Sequence, residues 1–168
     1  LPQEPNPIFN TAPSTKILIV GQAPGLKAHE RETAFEDPSG DRLRDWLSVS
    51  RETFYNPRLV SVMPMGFCFP GYKNGADAPP RKECAPTWHN EFLFYLKPKI
   101  TLYVGRYSQQ YYLPQFKTLT EAVRTPSESH FVLPHPSGRN NRWLAKNPWF
   151  ELEILPALKR TIASVLSA

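Results

Sequence analysis

Short apolar runs, each closed by a glycine or a proline, recur along the chain. The first is the β-branched run at residues 16–20, which is followed by Gly21. A continuous apolar run of this length is typical of a strand buried on both faces of a parallel sheet. Runs of the same kind predict three further strands, at residues 59–63, 100–104 and 130–133.

Segments with helical spacing of apolar side chains separate these strands. They predict helices at residues 41–49, 87–97, 107–113 and 149–166. In the first helix Leu43, Trp46 and Leu47 share one face, and Pro156 is expected to kink the last. Strands that alternate with helices indicate a three-layer α/β/α domain with a central, mostly parallel four-stranded sheet. Ligands of such folds bind at the carboxyl ends of the strands, so the residues that follow each strand are the first candidates for a site.

The composition fits one domain of ordinary size. The chain has 168 residues, of which 40% are hydrophobic and 12% aromatic. This length and apolar content suit a single core and exclude a chain that is disordered throughout. We therefore expect one domain over residues 1–168. Prolines near the start predict an extended N-terminal arm at residues 1–14.

The charge balance is moderately basic, with 20 lysines and arginines against 15 aspartates and glutamates and a net charge of +5. Such a balance suits a phosphate-bearing partner but is a weak signal. No apolar run approaches the ~18 residues that spanning a bilayer requires, so no membrane partner is expected. Since the first residues also lack the features of a signal peptide, we expect a soluble, cytoplasmic protein.

Metal chemistry finds little support in the sequence. Cys68 and Cys84 are the two cysteines, and an iron–sulfur cluster normally takes four. One disulfide is possible in principle, but reduced, buried thiols are the expectation for a cytosolic chain. The histidines lack the paired spacing of a zinc site. We expect neither a metal nor another cofactor.

The segment after the first strand is Gly-Gln-Ala-Pro-Gly, residues 21–25. Its two glycines and its proline predict a tight turn that lets backbone amides approach a ligand closely. Taken alone, the segment is equally compatible with an ordinary turn between a strand and a loop.

The segment after the last strand, residues 133–142, reads Leu-Pro-His-Pro-Ser-Gly-Arg-Asn-Asn-Arg. His135 lies between two prolines, which restrict the backbone and hold the imidazole in one direction. Such placement suits a catalytic or ligand-reading histidine. The alternative is an incidental histidine in a proline-rich turn.

Together the two segments resemble the motifs of the uracil-DNA glycosylase superfamily. Members carry G-[QEIL]-[DAN]-P-[YGA] after the first strand and H-P-S after the last, and residues 21–25 and 135–137 match both. Residues 33–35 and 38–40 resemble the segment that follows the first motif in these proteins. The first motif of this chain is most similar to the G-E-A-P-G and G-L-A-P motifs of two bacterial branches. The resemblance implies a monomeric, monofunctional DNA-repair glycosylase. It would flip uracil or a related deaminated base out of DNA and hydrolyse its N-glycosidic bond.

Cleavage of that bond builds positive charge on the sugar and negative charge on the departing base. An enzyme therefore needs a stacking surface, a hydrogen-bond donor and a positioned water. The resemblance implies that Phe35 stacks on the base and that a neutral His135 donates to a base oxygen. For Phe35 a plain core aromatic is the alternative. The expected base-binding residues are Gly21, Ala23, Pro24, Gly25, Phe35 and Ser61.

The first motif departs from its relatives at the position of the water-activating group. Relatives carry a carboxylate or an asparagine there, whereas this chain has Gln22 and Ala23. Gln22 can orient a water but cannot accept its proton. The acidic run that follows Phe35 supplies Asp37 and Asp41 as catalytic candidates, and capping of the next helix is the alternative role of Asp41.

A second departure concerns base recognition. Several branches read uracil with an asparagine in or after the second strand, but residues 61–69 contain none, and Asn74 follows in a predicted loop. The preferred base is therefore left open. The loop after His135 is expected to clamp phosphates and fill the gap left by a flipped nucleotide, with solvated arginines as the alternative. The expected DNA-binding residues are Ser137, Gly138, Arg139, Asn140 and Arg142.

Two other functions compete with a glycosylase. One is a catalytically weak or inactive member of the same fold that binds nucleic acid or nucleobases, which Gln22 and Ala23 favour. The other is a Ser/His hydrolase that uses Ser137 or Ser39, although neither serine lies in a G-x-S-x-G elbow.

Overall fold

The computed structural model describes residues 4–168, and residues 1–3 of the predicted N-terminal arm lie outside the described residues. The strands are β1 Ile17–Val20, β2 Val60–Val62, β3 Tyr72–Lys73, β4 Ala76–Asp77, β5 Ile100–Val104 and β6 His130–Leu133. The α-helices are α1 Leu26–Arg31, α2 Pro38–Leu47, α3 Arg51–Phe54, α4 Asn90–Tyr95, α5 Arg106–Tyr112, α6 Leu119–Val123, α7 Asn141–Lys146 and α8 Leu155–Ser167. Three short turns of other helix types precede α4, α7 and α8, at Ala85–His89, Gly138–Asn140 and Phe150–Ile154.

Four strands form one sheet in the order β2-β1-β5-β6, and every pair in it is parallel. Ile17 is in register with Val60 on one side and with Ile100 on the other. The predicted α/β fold class is confirmed, and the sheet is parallel throughout. Because β1 and β6 both end at the same edge, the segments that follow them meet there.

Side chains of β1 alternate between two cores. Ile17 and Ile19 are buried in a cluster with side chains of α2 and α8. Leu18 and Val20 are buried in a second cluster with Met63 and with side chains of the segment that leads to α4. The alternation follows from the period of a strand, whose successive side chains point to opposite faces. Helices thus cover both faces of the sheet, which gives three layers.

Helix α2 begins earlier than the predicted segment 41–49. The carboxylate of Asp37 accepts a hydrogen bond from the backbone N–H of Gly40 at 2.9 Å, so Asp37 is the N-cap. Pro38 follows at the first helical position, where its fixed φ suits the helix and its missing N–H costs nothing. The helix ends at Leu47, and its C-cap is Ser48, whose φ is +53°.

The predicted helices at residues 87–97 and 149–166 each consist of a π-helical turn followed by an α-helix. Pro156 lies in the first turn of α8, so it starts that helix and does not kink its middle. The predicted kink at Pro156 is absent from the middle of α8 because the π-helical turn ends at Ile154 and the α-helix begins at Leu155, one residue before the proline.

The segment predicted as a loop around Asn74 is a hairpin: Asn74 lies in its turn, whereas Tyr72–Lys73 before it forms a strand. β3 and β4 pair antiparallel across Asn74 and Gly75, whose φ angles are +52° and +76°. Two consecutive residues with positive φ are what a tight hairpin turn requires, and Asn-Gly supplies them most readily. The N–H of Ala78 donates to the carbonyl oxygen of Gly71 at 2.8 Å and closes the hairpin.

The described part of the N-terminal arm runs along the outer strand of the sheet. Ile8 donates its N–H to the carbonyl oxygen of Phe67, and Asn10 pairs antiparallel with Val62. Cys68 and Cys84 are free thiols, and both are half buried where full burial was predicted. Within residues 4–168, no helix has the length and apolar character needed to cross a membrane.

Candidate active site

A cavity of about 360 Å³ opens at the carboxyl ends of the parallel strands. It brings together most of the residues that sequence reasoning singled out. These are Gly21, Gln22, Ala23, Pro24, Gly25, Phe35, Asp37, His135, Ser137, Arg139 and Asn140. The two motif segments, more than a hundred residues apart, therefore line one cavity.

The turn at residues 21–25 is held by the loop after β2. The carbonyl oxygen of Gly21 accepts a hydrogen bond from the N–H of Met65 at 2.9 Å, and that of Gln22 accepts one from Gly66 at 2.8 Å. A side chain on Gly21 would have its Cβ 3.4 Å from the ring of Phe35. Glycine at this position therefore lets the aromatic ring lie directly against the turn.

The side chain of Gln22 packs against the start of α5. Gly105 has a φ of +90°, and a Cβ there would lie 2.4 Å from the Oε1 atom of Gln22. Gly105 is required both by its backbone conformation and by the amide that lies over it. The backbone at Gly105, directly after β5, thus positions the Gln22 side chain at the cavity.

Neighbouring residues hold Phe35 at the cavity by binding its backbone carbonyl and by packing on its ring. Its φ is +58°, an unusual conformation for a bulky residue. The carbonyl oxygen of Phe35 accepts a hydrogen bond from the guanidinium of Arg44, which is buried and also bonds the hydroxyl of Tyr55. The ring of Phe35 meets Phe54 edge to face, with the centroids 6.0 Å apart. This network fixes a conformation that a phenylalanine rarely adopts by itself.

Gly40 makes the conformation of Phe35 sterically possible. A Cβ at position 40 would lie 1.8 Å from the carbonyl oxygen of Phe35. The first turn of α2 therefore packs directly on the backbone of the aromatic residue that lines the cavity.

Asp37 has two roles in this geometry. Its Oδ1 atom accepts hydrogen bonds from the N–H of Gly40 and from the hydroxyl of Ser39, which fixes the carboxylate at the start of α2. The residue also lines the cavity, and burial lowers the pKa of His135 against the opposing effect of the Asp37 charge. The same capping interaction that starts the helix thus holds a carboxylate near the catalytic candidate His135.

His135 presents a defined tautomer. The N–H of Ser137 donates to its Nδ1 atom at 3.3 Å, so the ring proton is on Nε2. Asn140 donates to the carbonyl oxygen of His135 at 2.7 Å and fixes the backbone. Burial lowers the pKa of His135, and the charge of Asp37 opposes that effect. The result is a neutral imidazole whose donor, Nε2–H, has no protein partner among the described residues.

Four of the expected site residues do not line the cavity. Asp41 pairs with Arg44 at 2.9 Å, and its side chain is 74% exposed. Ser61 is buried in β2, where its hydroxyl bonds the backbone of Ala12 and Pro57. Gly138, in the short turn before α7, and Arg142, in the first turn of α7, are both exposed and lie outside the cavity lining.

A protein-family model described as the Uracil DNA glycosylase superfamily matches residues 9–159, which is most of the chain. The chain belongs to the uracil DNA glycosylase superfamily. The match includes both motif segments and all of the sheet. Membership of the uracil DNA glycosylase superfamily indicates a glycosylase-like function on DNA in general.

The site of this uracil DNA glycosylase superfamily member does not have the geometry of a Ser/His hydrolase. The hydroxyl of Ser39 donates to Asp37. Ser137 meets the imidazole of His135 through its backbone N–H. Among the described hydrogen bonds, neither hydroxyl contacts the histidine that would have to activate it.

Sequence reasoning missed one wall of the superfamily member's cavity. Asp77, at the end of β4, lines the cavity together with the segment Ala78–Pro80 that follows it. Burial raises the pKa of Asp77, Arg139 lowers it and Asp37 raises it. Tyr107 of α5 and Ile8 of the N-terminal arm line the cavity as well. The Asn-Gly pair at residues 74–75 predicts the hairpin turn but does not indicate that the hairpin packs against the cavity.

Proposed function

We propose that the protein is a monofunctional DNA-repair glycosylase that hydrolyses the N-glycosidic bond of uracil or a related deaminated base in DNA. It acts as one domain and as a monomer, with water as the nucleophile and without a cofactor. The observation that carries this proposal is the neutral His135, whose Nε2–H has no protein partner among the described residues, in a cavity shared with Phe35.

The target nucleotide leaves the duplex and its base enters the cavity, at a cost of a few kcal/mol. The ring of Phe35 stacks on the base, and the backbone of residues 21–25 approaches it closely, because the two glycines of the turn carry no side chain. As the bond to the sugar breaks, negative charge builds on the base. The Nε2–H of His135 donates to a base oxygen and stabilises that charge, most strongly in the transition state.

Asp37 is the carboxylate that faces the positively charged sugar. Its fixed position at the N-terminus of α2 lets it stabilise that charge and hold the attacking water, with Gln22 as a further hydrogen-bonding partner of the water. This assignment replaces the missing carboxylate of the first motif with one that comes from the next segment of the chain.

The loop after His135 binds DNA. Arg139 is exposed and lines the cavity. In this proposal its side chain fills the gap that the flipped nucleotide leaves. Ser137, Gly138 and Asn140 contact flanking phosphates in this proposal, and Arg142 adds positive charge at the start of α7.

The second candidate is a member of the same fold that binds nucleic acid or nucleobases without turnover. The packing of Gln22 against Gly105 favours it, because a glutamine held there offers no base for activating water.

Excision assays on oligonucleotides that carry uracil, hypoxanthine or xanthine distinguish the two candidates. We expect wild type to release at least one of these bases, and His135→Ala to be slower by about 10²- to 10³-fold with DNA affinity retained. His29→Ala is the matched control, because His29 does not line the cavity. Absence of excision with any base, while DNA still binds, would contradict the glycosylase and support the binding protein.

A further inference from the structure

The carboxylate of Asp77 lies against the turn of the first motif. Its Oδ2 atom would be 3.4 Å from a Cβ on Gly25, and the residue lines the same cavity as Phe35 and His135. Because Gly25 has no side chain, the carboxylate lies directly beside the turn. No residue in the second strand or directly after it supplies an asparagine for reading the base, so the cavity needs another polar group for that task.

The hairpin holds Asp77 in a fixed place. The Asn74-Gly75 turn and the bond from Ala78 to Gly71 close it. Beyond it, Pro80 packs on the loop after β2, within 3.2 Å of a Cβ built on Gly66. A side chain presented by a short hairpin and anchored by proline is preorganised for recognition.

The two cavity carboxylates differ in what is left for a ligand. One carboxylate oxygen of Asp37, Oδ1, already accepts hydrogen bonds from Ser39 and Gly40 at the start of α2. For the Asp77 carboxylate, the described residues provide no hydrogen-bond donor, although the charge of Arg139 acts on it. An ionised carboxylate is an acceptor only, so its complement in a ligand is an N–H group.

We propose that Asp77 is the residue that reads the edge of the base, and that it favours hypoxanthine over uracil. This inference rests on the proposed function. The N3–H of uracil lies between two carbonyl groups, so a carboxylate that approaches it meets a repelling oxygen on either side. The N1–H of hypoxanthine has a carbonyl on one side and a C–H on the other, which leaves one approach free of repulsion. A charge-assisted hydrogen bond is stronger than a neutral one, so this difference is expected to be large.

The test compares Asp77→Asn with wild type. The amide of asparagine accepts from an N–H and also donates to a neighbouring carbonyl. The variant is therefore expected to bind and excise uracil better than wild type does and to lose the preference for hypoxanthine. The matched control is Glu83→Gln, which removes one exposed negative charge outside the cavity. The readouts are single-turnover excision rates and the affinities for oligonucleotides with 2′-fluoro-deoxyinosine or 2′-fluoro-deoxyuridine, which are poorly cleaved.

We expect the hypoxanthine-to-uracil ratio, in rate and in affinity, to fall by about tenfold or more in Asp77→Asn and to stay unchanged in Glu83→Gln. A ratio that Asp77→Asn does not move, or wild type that binds both bases equally, overturns the inference. If wild type excises nothing but the affinity ratio shifts as expected, the proposed function fails and the reading role of Asp77 stands. If excision occurs and the ratio does not shift, the proposed function stands and the reading role fails.

Discussion

The two walls of the cavity are built in different ways. The sheet-edge wall, residues 21–25, 35–40 and 135–137, is held by backbone hydrogen bonds and by the buried guanidinium of Arg44. The hairpin wall, residues 70–80, is held by its own turn and by prolines, and Asp77 is exposed. The first wall carries the groups proposed for the reaction and the second carries the group proposed to choose the base. Such a separation would let the choice of base change while the reaction is kept.

The same substitution, glycine to alanine, tests how differently the walls tolerate a methyl group. Gly40→Ala is expected to lower the free energy of unfolding by about 3 kcal/mol, because its Cβ would lie 1.8 Å from the carbonyl oxygen of Phe35. In Gly75→Ala the new Cβ meets nothing within 4 Å. We expect this variant to lower the free energy of unfolding by only about 1 kcal/mol, because alanine adopts a φ of +76° less readily than glycine.

Chemical denaturation of both variants measures these costs. Gly138→Ala is the control, since its Cβ would meet only the side-chain amide of Asn141, at an ordinary 3.8 Å. Equal losses at positions 40 and 75 would mean that the sheet-edge wall is no more constrained than the hairpin wall.

The charge and the capping role of Asp37 can be separated. Asparagine is as good an N-cap as aspartate, so Asp37→Asn is expected to keep the stability of α2 and to slow excision by about 10²-fold. Asp37→Ala is expected to lose the same activity and also about 1 kcal/mol of stability.

Asp41→Asn is the control for the loss of one negative charge on α2. Asp41 does not line the cavity and its side chain is 74% exposed, so excision is expected to be unchanged. A slower rate in Asp41→Asn together with a normal rate in Asp37→Asn would reverse the assignment of the catalytic carboxylate.

Acid is expected to weaken the packing behind the sheet-edge wall. Burial lowers the pKa of both His135 and His89, so the unfolded chain takes up protons before the folded protein does. The stability that the neutral histidines contribute is complete above their ordinary pKa of 6.5 and is lost as the pH falls below it. Linkage limits the slope to about 1.4 kcal/mol per pH unit for each histidine.

Unfolding measured between pH 7 and pH 5 checks this prediction. His89 donates to the carbonyl oxygen of Pro64, and His89→Gln keeps a donor there but no longer titrates. Its stability is expected to depend less on pH than that of wild type. An identical dependence would exclude His89 as a source of the effect.

The strands and the side of the sheet that carries the site could be predicted because they follow from local patterns. Apolar runs closed by Gly21 or Pro134 mark buried strands, and parallel strands bring their carboxyl ends together. His135 could be singled out because prolines on both sides restrict its backbone.

The positions of the carboxylates required tertiary information. Asp37 and Asp41 belong to the same acidic run, and the first turn of α2 points one into the cavity and the other to solvent beside Arg44. Proline at position 38 was a usable signal, because a proline at the first helical position makes Asp37 the cap. Asp77 was missed because its distance from Gly25 depends on where the whole hairpin packs, which no local pattern in the sequence specifies.

The strand order has a consequence for the size of the ligand. β5 lies between β1 and β6, so the two motif segments start two strand spacings apart, or about 9.6 Å. Backbone hydrogen bonds fix that interval, and no change of side chain can widen or narrow it. Gly105, at the end of β5, keeps the middle of the interval free of a Cβ. β5 therefore acts as a spacer of fixed width, so the side chains that fill the interval set how much room a ligand has.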